Sequence, residues 1–346
     1  MLIPKWHYLH GQPTQTARLK VEPADFQVFE DLGFEPDGTG EHLMVRIRKT
    51  GENTAWVAKL LAQAADVPRA SITWAGLKDR HAVTEQWFGI HLPGKPDPDL
   101  SVIENEQIQI LSLARHSRKM RVGALKGNHF QLLLRDLHVS DALEARLQAI
   151  AAQGVPNYFG SQRFGRNGNN LDGAQSMFDG RRIKDRDKRS IFLSAARSYL
   201  FNLVVSARLE AGLAQRLLAG DCLMLAGTHS FFAEEEASDA LAERLAQGDL
   251  QLSAPLWGRG RSPALAEALA FEIQALAGQE SWQAGLEAAG LKQERRALLL
   301  QPKGLQWQWL SEGLQLNFWL PAGTYATSLV RELVQIQTEQ DEDTAE

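Results

Sequence analysis

Cysteine is nearly absent from this 346-residue chain: Cys222 is its one thiol. A disulfide framework and a cysteine-rich zinc site are thereby excluded, and zinc deaminase spacing needs more cysteines than exist here. No GxxxxGKS or GxxxxGKT phosphate loop, no well-placed GxGxxG, no GxSxG elbow and no HExxH occurs. These absences remove the usual sequence support for ATPase, dehydrogenase, serine hydrolase and metalloprotease chemistry. No uninterrupted apolar run approaches the roughly 18 residues of a membrane span. The start, MLIPKWHYLHGQPTQ, lacks a basic head followed by an apolar stretch. A cytoplasmic protein with no membrane partner, no metal and no obligatory protein partner is expected, most simply a monomer.

What is present is an uneven charge. The formal net charge is −5, from 37 Lys and Arg against 42 Asp and Glu. Residues 1–233 hold 29 basic and 24 acidic side chains, whereas 234–346 hold 8 and 18. Within 115–189 the balance is 15 to 7, a local net of +8. The last eight residues, EQDEDTAE, carry five acids and read as a solvated tail. Binding to a polyanion depends on local Lys and Arg, so the whole-chain charge does not exclude a nucleic-acid partner.

Periodicity divides the chain. Phe26–Glu30 and His42–Arg48 alternate as strands, with Leu43, Val45 and Ile47 on one face and Arg46 and Arg48 on the other. Asn53 is a helix N-cap before Trp56, Val57, Leu60, Leu61 and Ala64. Strands are expected at Ser71–Ala75, Glu85–Ile90, Ile108–Ser112 and His129–Arg135. Asp141 with Glu144 resembles a capping box opening a further helix. Residues 157–190 are rich in Gly, Asn and Arg, and about 191–300 shows helical spacing rich in Ala and Leu. Strand character is expected to return only at Leu314–Leu320, followed by a helix over about 324–336. This order suggests an inserted second domain, with the first domain's sheet completed by the final 40 or so residues.

Three segments carry candidate chemistry. In AGLKDRHAVTEQ, Asp79 lies between Lys78 and Arg80 on a loop between strands, and Gly76 permits a turn or close approach. Neighbouring positive charge favours the carboxylate form, which suits a nucleophile or general base; a solvated charged turn is the plain alternative. NYFGSQRFGRNGNN interleaves aromatics, Arg163, Arg166 and amides, a composition suited to stacking on unpaired bases and holding phosphates. Arg181, Arg182 and Lys184 begin a basic run to Arg189, and Arg115 to Lys126 form another basic cluster. Each cluster alone is consistent with a solvated face; together they favour RNA. Phe26, Phe130 and Phe318 fall on expected strands and are residues of the type most often found in cores. Asn128 stands out because Asn is disfavoured within strands.

Together these pieces resemble the TruD family of tRNA pseudouridine synthases. The matching segments are KVEPADFQVFE, AGLKDRHAVTEQ, KGNHF, NYFGSQRFG and FWLPAGTYATSLVREL, in family order from residue 20 to 333. The resemblance implies an α+β pseudouridine synthase fold, a mixed and largely antiparallel sheet flanked by helices. That catalytic domain (1–154 and 303–346) would be interrupted by an inserted family-specific α/β TRUD domain at 155–302, with RNA held in a basic cleft. It further implies isomerisation of uridine to pseudouridine in tRNA, for bacterial members usually at position 13, without a cofactor.

The family's catalytic Asp falls on Asp79. Phe26, Asn128, Phe130 and Phe318 match its substrate-site residues, with Trp319 adjacent to the last. Lys20 matches a first-motif Lys and is the first candidate to pair with Asp79; Arg331 is the second. Lys78 and Arg80 are assigned, with Arg163, Arg166, Arg181, Arg182 and Lys184, to RNA binding. Two rival readings use the same residues. A non-catalytic RNA-binding or chaperone protein gains nothing from a carboxylate in a phosphate groove. A carboxylate glycosidase or nucleosidase calls for a second acid, and Glu85 is the only one near in sequence.

Overall fold

The computed structural model describes residues 3–337, so the acidic EQDEDTAE terminus lies outside the described residues. In chain order the strands begin with β1 (Thr16–Ala17), β2 (Phe26–Asp31), β3 (His42–Thr50), β4 (Ile72–Trp74), β5 (Val83–His91), β6 (Ile108–His116) and β7 (Gly127–Arg135). There follow β8 (Val155–Pro156), β9 (Cys222–Leu225), β10 (Phe231–Ala233), β11 (Leu250–Leu256), β12 (Glu294–Ala297) and β13 (Leu299–Leu300). The chain closes with β14 (Lys303–Leu310), β15 (Gly313–Pro321) and β16 (Gln335–Ile336). Its contacts cluster into two units. A sheet unit comprises 14–145, 302–326 and the described residues from 334 on; a central unit comprises 146–301 with 3–13 and 327–333. Residues 3–13, 146–154 and 327–333, given to the catalytic domain on sequence grounds, thus cluster with the central unit.

The sheet unit is built on eight strands in the order β14-β15-β7-β2-β5-β3-β6, with β4 added to β5. Every pair is antiparallel except β2 with β5. The sheet is therefore mixed and largely antiparallel, in agreement with the family resemblance. Strand β2 pairs with the first residues of β5 and β4 with the last, so both use the same edge of β5. Helix α1 (Thr54–Ala64) starts where expected, with Asn53 accepting from the Trp56 N–H at 2.8 Å. It lays Val57, Ala58 and Leu61 over Leu43, Val45, Ile47, Phe88 and Ile90, all fully buried. Burial of each large aliphatic contributes about 1.5–3 kcal/mol.

Side chains on directly paired residues share a sheet face. One face therefore carries Phe26, Val28 and Glu30 of β2, Asn128 and Phe130 of β7, and Phe318 of β15. Trp319 falls on the other face, where its indole N–H donates to Asp31 at 3.1 Å. Strand β14 has no counterpart among the expected strands, although Leu305, Trp307 and Trp309 alternate with exposed residues.

Helix α2 (Asp141–Gln153) is capped by Ser140, whose hydroxyl accepts from the Leu143 N–H at 3.3 Å. The expected Asp141 box does not form, because Glu144 instead accepts from the Trp307 indole at 3.1 Å.

The central unit holds α3 (Asn169–Phe178), α4 (Arg186–Glu210), α5 (Asp239–Ala246), α6 (Ala266–Ala275) and α7 (Glu280–Ala288). It also contains a four-stranded antiparallel sheet ordered β10-β9-β11-β12. This corrects the expectation that strands return only near residue 314. A run such as LQLSAPL in β11 is too short for periodicity to separate a buried strand from a buried helix. Helix α4 is long and apolar enough to cross a membrane by length and composition, although polar residues interrupt its apolar run. More than half of that stretch is buried, and α3, α6, α7 and β11 pack on it. The last helix, α8 (Ala326–Leu333), is shorter than expected, because Gln335–Ile336 pairs in parallel with Thr16–Ala17.

Candidate active site

Asp79 lies on the loop between β4 and β5, and buried side chains hold that loop by its main chain. Gln86 on β5 donates to the Gly76 carbonyl at 2.6 Å. The Thr54 hydroxyl accepts from the Lys78 N–H at 3.1 Å and donates to Gln86 Oε1 at 2.9 Å. Lys49, fully buried on β3, donates from Nζ to the Asp79 carbonyl at 3.2 Å and to that of Glu52 at 2.6 Å. Arg80 donates to the Gly51 carbonyl at 3.1 Å and remains exposed. Gly76 needs no special conformation, since its φ is not positive and an added Cβ meets nothing within 4 Å. Its part in the loop is the carbonyl.

The Asp79 carboxylate is partly open to solvent and makes two contacts. Oδ1 accepts from the His81 N–H at 3.2 Å, closing an Asx-type turn, and Oδ2 is bonded to the Lys20 ammonium. Lys20 has φ +64°, a left-handed conformation that is uncommon for a residue with a Cβ. Its ammonium also lies 4.2 Å from the centroid of the Phe26 ring. Phe26 meets Phe130 edge-on at 6.3 Å, and Phe130 stacks on Phe318 at 5.3 Å with 18° between the planes. The three rings are 6%, 8% and 3% exposed, so Phe318 backs Phe130 and itself offers little surface. Beside them Asn128 keeps a buried Oδ1 that accepts no hydrogen bond.

Charge around the loop is concentrated. Lys78 turns inward to an ion pair with Glu30, the two side chains being 8% and 0% exposed. Glu30 also accepts from the Trp87 N–H at 2.7 Å. Burial pushes the Glu30 carboxyl up, against the pull of Lys78. Burial, reinforced by Lys78, pushes the Lys49 ammonium down to about 8. Glu85 is held on the opposite sheet face between Arg46 (2.5 Å) and Arg48 (2.6 Å). It does not join Asp79 as a second acid, which removes the basis of the glycosidase reading.

The structure thus brings Asp79, Lys20, Phe26, Asn128, Phe130 and Phe318 together within the sheet unit. It places Lys78 in a buried ion pair instead of on an RNA-facing surface. Lys49, Thr54, Gln86 and Glu30 have no role assigned to them from sequence, although Gln86 and Glu30 lie within the quoted motifs. Lys49 continues the apolar register of Leu43, Val45 and Ile47, and Glu30 that of Phe26 and Val28. A charge in an apolar register was the available signal.

In the central unit, Arg181, Arg182, Lys184, Arg186 and Arg189 line an open concavity of about 640 Å³ with Met177 and Ile183. Arg166 is exposed, whereas Arg163 bonds the Ser194 hydroxyl at 3.0 Å and lies over Phe159. The aromatics of NYFGSQRFG pack inward. Tyr158, Phe159 and Phe164 are buried, Phe159 against Phe201 and Phe164 against Tyr199. Arg331 is engaged by the carbonyls of Trp6 and His7, by Glu332 and by the Tyr8 ring. Among the described residues no group of three or more His, Cys, Asp or Glu side chains is placed to hold a metal ion.

Comparison with known proteins gives a consistent set of matches. The family described as tRNA pseudouridine synthase D (TruD) matches residues 4–172 and 181–333. A protein of Aeromonas hydrophila named tRNA pseudouridine synthase D is 64% identical over 336 residues, covering 97% of this chain and 96% of that one. One of the same name from Pectobacterium atrosepticum is 50% identical over 337 residues, covering 96% and 97%. A crystal structure from Methanosarcina mazei, titled a putative tRNA pseudouridine synthase D, shares the fold. It aligns with a TM-score of 0.73 at 23% identity over 94% of this chain and 95% of its own.

Proposed function

The chain belongs to the TruD family of tRNA pseudouridine synthases, enzymes that isomerise uridine, and we propose that it acts at position 13 of tRNA with Asp79 as its one catalytic carboxylate and no cofactor. The observation that carries this reading is the Asp79 carboxylate paired with Lys20, whose ammonium also lies over the ring of Phe26 beside Phe130.

The reaction breaks the N1–C1′ glycosidic bond, turns the uracil and joins C5 to C1′. The proton leaving C5 is matched by one gained at N1, so atoms and charge balance without an added group. Taking the uridine out of its stack costs a few kcal/mol. Contact with the exposed edges of Phe130 and Phe26 returns part of this, less than the about 1–3 kcal/mol of a fully stacked base. Asn128 Oδ1, buried and without a donor, is suited to accept from the uracil N3–H. Asp79 serves any of three routes: attack at C1′, proton abstraction at C2′, or attack at uracil C6. Each requires the charged carboxylate, and Lys20 supplies the countercharge when water is excluded. Lys78, committed to Glu30, supports the loop, and RNA phosphates fall to Arg80, Arg166 and the cations of the central concavity.

The test is tritium release from tRNA transcripts labelled with 5-³H-uridine. Asp79→Asn keeps the shape and removes the charge. It is expected to lower turnover by about 10⁴-fold or more while still binding tRNA. Near-normal release by this variant overturns the role given to Asp79.

A further inference from the structure

We propose that Lys49, together with Thr54, is the positioning device for the catalytic loop, holding Asp79 by its main chain so that its carboxylate meets the reacting sugar or base in one fixed direction. This rests on the reading of Asp79 as the catalytic carboxylate.

A loop residue has no regular hydrogen-bond ladder to aim it, and misplacement by about 1 Å lowers a rate by about 10²-fold. The side-chain pairing of Asp79 with Lys20 does not supply that rigidity, because both side chains are partly exposed. The main chain of the loop is held instead from buried positions. Lys49 reaches the carbonyl of Asp79 itself, and Thr54 takes the N–H of Lys78, one residue earlier. The two residues come from the end of β3 and the first turn of α1, joined by the turn whose Glu52 carbonyl also accepts from Lys49.

The placement of Lys49 is not explained by packing. It is fully buried and follows Leu43, Val45 and Ile47 in the apolar register, where a Met would fit the pattern. Burying an ammonium is unfavourable unless it is paired. Yet the described ion pairs place no carboxylate within reach of its Nζ, and its two hydrogen bonds go to main-chain carbonyls. The charged groups around it are Lys78 on the loop, which repels it, and Asp79, Glu52 and Glu30, which attract it. An ammonium kept in such a place and aimed at the carbonyl of Asp79 matches a demand for geometry at that residue.

The experiment compares the full-length wild type with Lys49→Met, Thr54→Val and Asp79→Asn. Each is assayed in single turnover with enzyme in excess over a labelled tRNA transcript, alongside tRNA affinity by filter binding. At saturating enzyme the rate constant reports the chemical step, whereas the concentration of tRNA-binding sites titrated by filter binding reports the folded fraction. Lys49→Met is expected to lower the rate constant by about 10–100-fold with affinity within about twofold. Thr54→Val, which keeps the shape, lowers it in the same direction by less. A Lys49→Met rate constant within twofold of wild type, or a loss of tRNA-binding sites alone, overturns the proposal while Asp79→Asn is inactive. Should Lys49→Met not fold, Thr54→Val decides by the same two readouts. If Asp79→Asn turns over at the wild-type rate, it is the catalytic reading of Asp79 that fails, whatever Lys49 does.

Discussion

The ion pair between Lys78 and Glu30 offers a sharp test of how the site is held. Its side chains are 8% and 0% exposed, and Glu30 also takes the Trp87 N–H. Glu30→Gln keeps the shape and the acceptor but leaves the Lys78 ammonium buried without its countercharge. Breaking a buried pair from one side costs about 3–5 kcal/mol, a large part of a total stability of about 5–15 kcal/mol. Lys78→Met should cost less at neutral pH, and less still as the pH falls. Burial already raises the Glu30 carboxyl, so protonation can neutralise it once the lysine has gone. The double variant Glu30→Gln/Lys78→Met should recover most of the loss, because replacing a buried pair by uncharged groups is often near neutral. Urea titrations of the four proteins give the coupling energy, and hydrogen exchange at the Trp87 amide reports the local effect. A cost below about 1 kcal/mol for Glu30→Gln would mean that the ammonium reaches water. The reasoning would then fail, and Lys78 would return to the set available for RNA phosphates.

Two further predictions concern charge. Replacing Arg181, Arg182 and Lys184 by neutral residues should flatten the salt dependence of tRNA binding, by about 0.7–0.9 in logarithmic slope for each phosphate no longer neutralised. An unchanged slope places the phosphates elsewhere. Asp25 is buried, and burial alone would raise its carboxyl. Arg135, bonded at 2.8–3.1 Å, and the Glu22 N–H outweigh burial and hold it below the ordinary 3.8. A carboxyl lowered in the folded state contributes stability that is full above its unfolded value and is lost as pH falls through the folded one. The stability difference between wild type and Asp25→Asn should therefore shrink from about pH 5 to pH 2; a constant difference over that range refutes it.

Features that depend on neighbours in sequence are legible from the sequence itself. The alternation of β3 and the Asn53 cap are set within a few residues, and both appear as read. The motif around Asp79 is legible for the same reason. Part of what holds that motif is not, because Lys49 meets the loop only through the pairing of β3 with β5, some 30 residues apart in sequence. Composition misleads where two environments use the same residues. Aromatics interleaved with arginine describe an RNA surface, and equally an arginine-bordered core such as Phe159 with Arg296 at 4.2 Å. Burial separates the two, and a single sequence does not report burial directly.

It reports burial indirectly wherever periodicity and chemistry disagree. The apolar register of β3 runs Leu43, Val45, Ile47 and then Lys49; that of β2 runs Phe26, Val28 and then Glu30. In each strand the register predicts an apolar residue at the position where the sequence has a charge, and in each the charged side chain is directed to the loop that carries Asp79, Lys49 to its main chain and Glu30 to Lys78. Charges on the opposite face, Arg46, Arg48 and Glu85, follow the alternation and pair with one another. A charge out of register therefore distinguishes residues that build this site from charges that merely cover the sheet. The unfavourable burial of an ion is tolerated here where it holds the loop that carries Asp79.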